Sequence, residues 1–262
     1  MKIGYQGTIG SFSQIASLNL FPNEELINHI SFREVVEGVS SGYLDFGVLP
    51  IENSYTGEVG MVLDELFKSN IYISGVYDLP IVQNLVGIKG AKLHEIKRVY
   101  SHEQALMQCS KVLGELGVET VSFTNTALAS QYVKELNDPT KAAIASDLAV
   151  KVNGLEILLP SINDNPNNTT RFAIISKELK EIKDNFAFMF TVKDGSGALA
   201  RVLNEISKLD VNLTAISSRT THTAWKYYFY CEAEGRLDDP NIMKLREVLS
   251  LKCETFKIIG SY

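Results

Sequence analysis

The chain has only three cysteines, Cys109, Cys231 and Cys253, odd in number and far apart. They form neither a disulfide framework nor a zinc-ligand spacing, and a reducing, cytoplasmic setting is the expectation. Positive charge is not in excess. Twenty-five Lys and Arg stand against 31 Asp and Glu, a net charge of −6, which argues against a nucleic-acid surface. No apolar run approaches a membrane span. The opening Met1-Lys2-Ile3-Gly4-Tyr5 reads as a strand, not a signal peptide. Low-complexity segments and internal repeats are absent. The four histidines, His29, His94, His102 and His222, have no metal-ligand spacing, and no Ser-His-Asp triad assembles. Gly4 to Ser11 spaces its glycines G-x-x-G-x-x-G, not G-x-G-x-x-G, and lacks the Lys-Ser or Lys-Thr of a phosphate loop. Neither a metal nor a cofactor is expected.

What is present fits one large or two ordinary domains: 262 residues, 45% hydrophobic and 21% charged. Up to about residue 176, short apolar strands alternate with amphipathic helices. Strands are predicted at Ile3–Tyr5, Phe46–Leu49 (stopped by Pro50), Ile71–Val76, Gln83–Ile88, Val118–Phe123, Ala142–Ala145 and Arg171–Ile175. Helices are predicted from Ser11 to Leu20, from the capping box at Ser31 to near Gly42, over Gly60–Phe67, from Ser101 to about Leu116, from Asn125 or Thr126 to Leu136, and over Asp147–Val152. This alternation implies parallel βαβ units, whose ligands bind beyond the carboxyl ends of the strands. The charged run Ser176–Asp184 then breaks the pattern and reads as a domain boundary or a solvated surface helix. From Asn185 onward the order becomes βαββαβ, a ferredoxin-like unit.

Four polar strings fall where strands end or helices begin: Val48 to Ser54, Ser101 to Gln104, Gln108-Cys109, and Asn168 to Phe172. Together they suggest a cleft of neutral donors for a small anion. Each also has a plainer reading. Glu52-Asn53-Ser54 either satisfies loop backbone and caps a helix, or presents donors to a ligand oxyanion. Ser101 either caps a helix or binds ligand. Arg171 pairs either a ligand carboxylate or a structural partner. Thr170 either starts a strand or offers its hydroxyl. Cys109 reads as a packed small hydrophobe.

In order, these strings resemble the prephenate dehydratases over essentially the whole chain. Tyr5-Gln6-Gly7 with Gly10-Ser11-Phe12-Ser13 resembles the opening loop. Gly42 through Val59 reads G-x-x-D-x-G-V-L-P-I-E-N-S-x-x-G-x-V. Ser101-His102-x-Gln104 with Gln108-Cys109 resembles S-H-P-Q-A-L-x-Q-C, with Glu103 in place of Pro. Ala142 to Asp147 with Gly154-Leu155 follows A-A-I-A-S…G-L, and Asn168-x-Thr170-Arg171-Phe172 is similar to N-x-T-R-F. The last unit resembles an ACT domain. Its Gly197-Ala198-Leu199 and Ser218-Arg219 stand at the G-A-L and E-S-R-P sites, with Ser196, Ser217 and Thr220 departing from the pattern.

The resemblance implies an α/β chain with a two-lobed, periplasmic-binding-protein-like (type II) catalytic domain. One lobe would be 1–77 plus 160–176 and the other 78–159, followed by a linker over 177–184 and a ferredoxin-like βαββαβ ACT domain over 185–262. The implied reaction turns prephenate into phenylpyruvate, carbon dioxide and water without a cofactor. Thr170 would donate to the leaving hydroxyl, Glu52 would orient, and Asn53 and Ser54 would act as donors. Ser11, Ser101, Gln108, Thr169, Arg171 and Phe172 would bind substrate. Gly197, Ala198, Leu199, Ser218 and Arg219 would bind a regulatory amino acid, L-phenylalanine, in a homodimer or homotetramer. Two other readings share the scaffold: an arogenate dehydratase and a non-catalytic amino-acid sensor. A fused chorismate mutase is not expected, since the dehydratase-like opening begins at residue 2.

Overall fold

The first two helices form where the caps place them. In the computed structural model, which describes residues 1–179, 182–221 and 223–262, Ser11 and Ser31 cap α1 (Phe12–Leu20) and α2 (Phe32–Ser41). Ser31 accepts from the Glu34 N–H at 3.2 Å, and Glu34 reaches back to the Ile30 N–H at 3.0 Å. Gly42 ends α2 at φ 81°. These helices flank β1 (Lys2–Gln6), β2 (Glu25–His29) and β3 (Phe46–Asn53), with β1 pairing in parallel to both others. Strand β2 is half polar and five residues long, so no sequence signal announced it. Pro50 does not stop β3. Its missing N–H falls beyond the last β1 pair, Tyr5↔Val48, and beside a bulge in the pairing to the next strand. The chain continues through β4 (Gly57–Glu58), α3 (Gly60–Lys68) and β5 (Tyr72–Pro80).

Beyond Pro80 a second sheet forms. It uses β6 (Asn84–Gly87), β7 (Arg98–Ser101), β8 (Glu119–Ser122), β9 (Lys141–Ala145) and β10 (Glu156–Leu159), in the order β10-β6-β9-β7-β8. Its helices are α4 (Glu103–Gln108), α5 (Ser110–Leu116), α6 (Thr126–Leu136) and α7 (Asp147–Asn153). Two expectations need correction. The helix expected from Ser101 is two helices, broken at Cys109 (φ −122°, ψ 17°), and its cap is His102, whose ring accepts from the Gln104 N–H. Ser101 stays in β7 and donates to the Ile144 carbonyl at 3.2 Å. The parallel rule also holds only in part: β6 and β10 run antiparallel.

The chain then returns as β11 (Thr169–Ser176), inserted antiparallel between β3 and β5 of the first sheet. The remaining elements are β12 (Asn185–Thr191), α8 (Ala198–Lys208), β13 (Leu213–Thr220), β14 (Tyr227–Glu234), α9 (Pro240–Lys252) and β15 (Thr255–Ser261). Their order β13-β14-β12-β15 is ferredoxin-like. The whole is the two-lobed α/β fold with a ferredoxin-like unit that the resemblance implies. Lys180 and Glu181 of the charged run, and His222, lie outside the described residues.

The ferredoxin-like sheet is buried on both faces. Phe186, Phe188, Phe190 and Cys231 pack against α8 and α9. Ala187, Met189, Tyr228 and Tyr230 share a core with Val62, Leu63 and Leu66 of α3. Lys257 of β15 caps the end of α3, donating to the Leu66 carbonyl at 3.0 Å and to that of Ser69, and burial pushes its ammonium down to about 8. The two halves of the large sheet meet at one parallel pair, Gly260↔Ile73. A Cβ on Gly260 would lie 2.5 Å from both Cβ and O of Ile73. Gly260→Val should therefore destabilise the chain by about 1–3 kcal/mol, the usual cost of overpacking. Chemical denaturation followed by fluorescence checks this, and an unchanged midpoint rejects the role of that contact.

Candidate active site

A cleft of about 660 Å³ opens between the two lobes. Thr170 and Phe172 of β11 line it, while Arg171 between them points to the other face, as strand alternation requires. Asn53, Thr56 and the start of α3 (Val59, Gly60, Met61) complete the first lobe's wall, with Phe12 and Ser13 of α1. The second lobe contributes His102, Gln104 and Gln108, together with Asn125 and Thr126 at the start of α6. Among the described lining residues there is no Lys or Arg, and Glu58 is the one carboxylate. Helices α1, α3 and α6 all begin at this cleft, and each N-terminus carries roughly half a positive charge with free N–H groups. A larger groove of about 1010 Å³ lies between α9, β15 and Leu179, and holds none of the candidate residues.

At the centre is a chain of buried amides. Asn53 Oδ1 accepts from the backbone N–H groups of Tyr55 and Thr56, at 3.0 and 3.1 Å. Its amide nitrogen therefore faces the other way, donating to Asn168 Oδ1 at 2.8 Å and Thr170 Oγ1 at 2.9 Å. Asn168 in turn donates to Gln108 Oε1 at 2.9 Å. Since Thr170 Oγ1 accepts from Asn53, its own proton is free to point into the cleft. The lobes also touch at Gln104 Nε2, which donates to Thr56 Oγ1 at 2.9 Å, and at Ser146, which donates to the Gly10 carbonyl at 2.7 Å. Gly10 has φ +92°, and a Cβ there would meet Ala149 Cα at 2.9 Å. The glycine loop thus serves close approach between the lobes.

The sequence candidates divide. Asn53, Gln108, Thr170 and Phe172 line the cleft together. Four others do not. Ser11 caps α1. Ser101 is wholly buried against Ile144. Ser54 donates to the Asn167 carbonyl and accepts from the Thr169 N–H. Thr169 turns its hydroxyl back to Asn167. Arg171 is held by Asp78 at 3.0 Å, Glu52 at 3.4 Å and Glu232 of the ferredoxin-like unit at 3.7 Å. Its charge, and that of Glu52, are spent on one another behind the sheet. Sequence reasoning gave no role to Asn168, Thr56 or the start of α6. The polar cap Asn125 ahead of an apolar helix was the available signal.

A sequence model described as prephenate dehydratase matches residues 3–180, and one described as the ACT domain matches 187–250. The chain belongs to the prephenate dehydratase family. It is 35% identical over 239 residues to the prephenate dehydratase of Lactococcus lactis, covering 88% of this chain and 85% of that one. It is 31% identical over 281 residues to a chloroplastic arogenate dehydratase/prephenate dehydratase of Arabidopsis thaliana, covering 100% of this chain and 72% of the relative. The solved prephenate dehydratase of Arthrobacter aurescens, in complex with L-Phe, superposes with a TM-score of 0.92 at 27% identity, covering 100% of this chain and 90% of that one.

In this prephenate dehydratase scaffold the ACT candidates do not gather on one face. Gly197 (φ +73°) opens α8, and Leu199 packs on the helix side of the sheet. Ser218 is exposed. Arg219 projects from the opposite face and forks onto Asp64 of α3, with both contacts at 3.0 Å. Tyr228 also donates to Asp64 at 2.7 Å, with its ring stacked on Phe67 at 4.3 Å.

Cys109 is fully buried, and burial pushes its thiol up to about 12. Iodoacetamide should leave it unmodified in the native protein and alkylate it after denaturation. Mass spectrometry reads this directly, and native labelling at Cys109 rejects the packed-hydrophobe reading.

Proposed function

We propose that the cleft performs the decarboxylative dehydration of prephenate, with Thr170 as the hydrogen-bond donor to the leaving hydroxyl. The observation that carries this is the Asn53–Thr170 bond at 2.9 Å, which occupies the acceptor side of the hydroxyl and leaves its proton for substrate. The C–CO2 bonding pair enters the ring, the ring C–O bond breaks, and the departing hydroxide leaves as water with the uptake of one proton. Aromatisation supplies the driving force. An alcohol is a weak acid, so the gain comes from a hydrogen bond that strengthens as charge builds on the leaving oxygen. Neutral donors and helix N-termini hold the dianion. A cation clamped on the carboxylate that must leave as CO2 would stabilise the ground state and slow the reaction.

Within this reading, Asn53 and Gln108 bind and orient substrate and Phe172 forms the wall. Ser11, Ser54, Ser101 and Thr169 support the site's backbone, and Glu52 and Arg171 brace β11 from behind. The catalytic unit spans 1–176, with lobes 1–77 plus 160–176 and 78–159. Residues 177–184 link it to a regulatory unit at 185–262, a division supported by the two family matches. The protein works in the cytoplasm as a homodimer or homotetramer. Strand β13 ends the sheet, and exposed Ile216 and Tyr227 near its edge support pairing there. Arogenate carries an ammonium in place of the ketone, and Glu58, the one carboxylate among the described lining residues, favours testing it alongside prephenate.

Thr170→Val should lower kcat for prephenate by about 100- to 1,000-fold, the usual effect of losing one oxyanion-type donor, with a smaller change in KM. Unchanged kcat in a folded variant rejects the assignment. L-phenylalanine, bound at the regulatory unit, should alter the initial rate, and Arg219→Ala, which removes the ion pair to Asp64 of α3, should abolish that response. A response retained by the variant rejects Arg219's part in it.

A further inference from the structure

The amide chain has a direction, and one residue outside the candidate set imposes it on both lobes. At its origin are two groups that can only donate, the N–H groups of Tyr55 and Thr56. They settle which end of the Asn53 side chain is oxygen. Asn53 must then donate to Asn168, so the atom of Asn168 that it meets is oxygen and the other is nitrogen. That nitrogen must donate, so the atom of Gln108 that it meets is oxygen. Asn168 is only 2% exposed, and Gln108 5%, so neither can exchange this partner for water without loss. The Gln108 oxygen is therefore turned out of the cleft, and its NH2 group faces in.

We propose that Asn168 is the positioning residue that fixes the polarity of the cleft. It aims the Gln108 NH2, across the lobe boundary, at a substrate carboxylate. This rests on the dehydratase reading for the identity of the anion, and on the hydrogen-bond chain alone for the orientation. An acceptor-only side chain of the same shape at position 168 would still take the Asn53 bond and so leave Thr170 undisturbed. It would repel the Gln108 oxygen, flip that amide, and present a carbonyl to the anion.

Asn168→Asp makes that change and adds a pH signature. When the new carboxyl is protonated, its O–H can donate to Gln108 and restore the wild-type polarity; when ionised it cannot. Steady-state kinetics with prephenate between about pH 5 and 9 should give, for the variant at the alkaline end, a KM raised at least tenfold, with kcat within about threefold of wild type. The KM should recover as the pH falls. In a Gln108→Ala background the same substitution should change KM less than about threefold at any pH. Tyr55, Glu58, His102, Asp164 and Arg171, the other titratable groups around the chain, are common to the wild-type control. A pH-independent KM, or an equal loss in the Gln108→Ala background, overturns the proposal. A wild-type protein that does not turn over prephenate would instead overturn the dehydratase reading.

Side-chain amide NMR of the wild type tests the orientation even if the variant fails to fold. With phenylpyruvate as the added anion, the Gln108 NH2 pair should shift and exchange quickly with water, and the Asn168 pair should stay protected. A protected Gln108 pair that ignores the anion rejects the orientation.

Discussion

The return of β11 between β3 and β5 is the constraint on which the rest depends. It joins segments distant in sequence, setting Thr170 opposite Asn53 and Leu79, and Arg171 opposite Glu52 and Asp78. The twofold alternation of a strand then divides one short motif between two tasks. Thr170 and Phe172 face the cleft, while Arg171 faces away into three carboxylates, one of them on the ACT-domain side. A slip of one residue would exchange these faces.

The cleft has no lysine or arginine among its described lining residues. Three helix N-termini and a row of neutral amides line it instead. Buried amides are costly unless every donor meets an acceptor. The chain from Tyr55 and Thr56 through Asn53 and Asn168 to Gln108 meets that demand, and it leaves its unspent donors on the cleft side.

Helix α3 connects this site to the ACT domain. Its first turn lines the cleft. Its middle holds Asp64, gripped by Arg219 and Tyr228, and its end is capped by Lys257. The helix thus begins at the cleft and is held at its middle and its end by the ACT domain. A displacement of the ACT sheet would bear on the first turn of α3, at the cleft wall.

Local chemistry made much of this legible. The caps at Ser11, Ser31 and Asn125, the αL glycine at Gly42 and the βαββαβ order from Asn185 rest on interactions within a few residues, which the sequence carries in full. The family strings also marked Asn53, Gln108, Thr170 and Phe172, four residues that do meet. Short β2 and β10 escaped because runs of five or fewer residues show too little alternation to read, and form strands only when a neighbour supplies the ladder. Ser101 and Arg171 were placed in the site by the resemblance of their strings. Only the tertiary structure turned one to Ile144 and the other to Asp78, Glu52 and Glu232, because its partners lie on other strands. The polarity of the amide chain belongs to the same class. The sequence determined which amides exist, and the packing of two lobes decided which end of each faces the cleft, since an amide takes its direction from its hydrogen-bond partners.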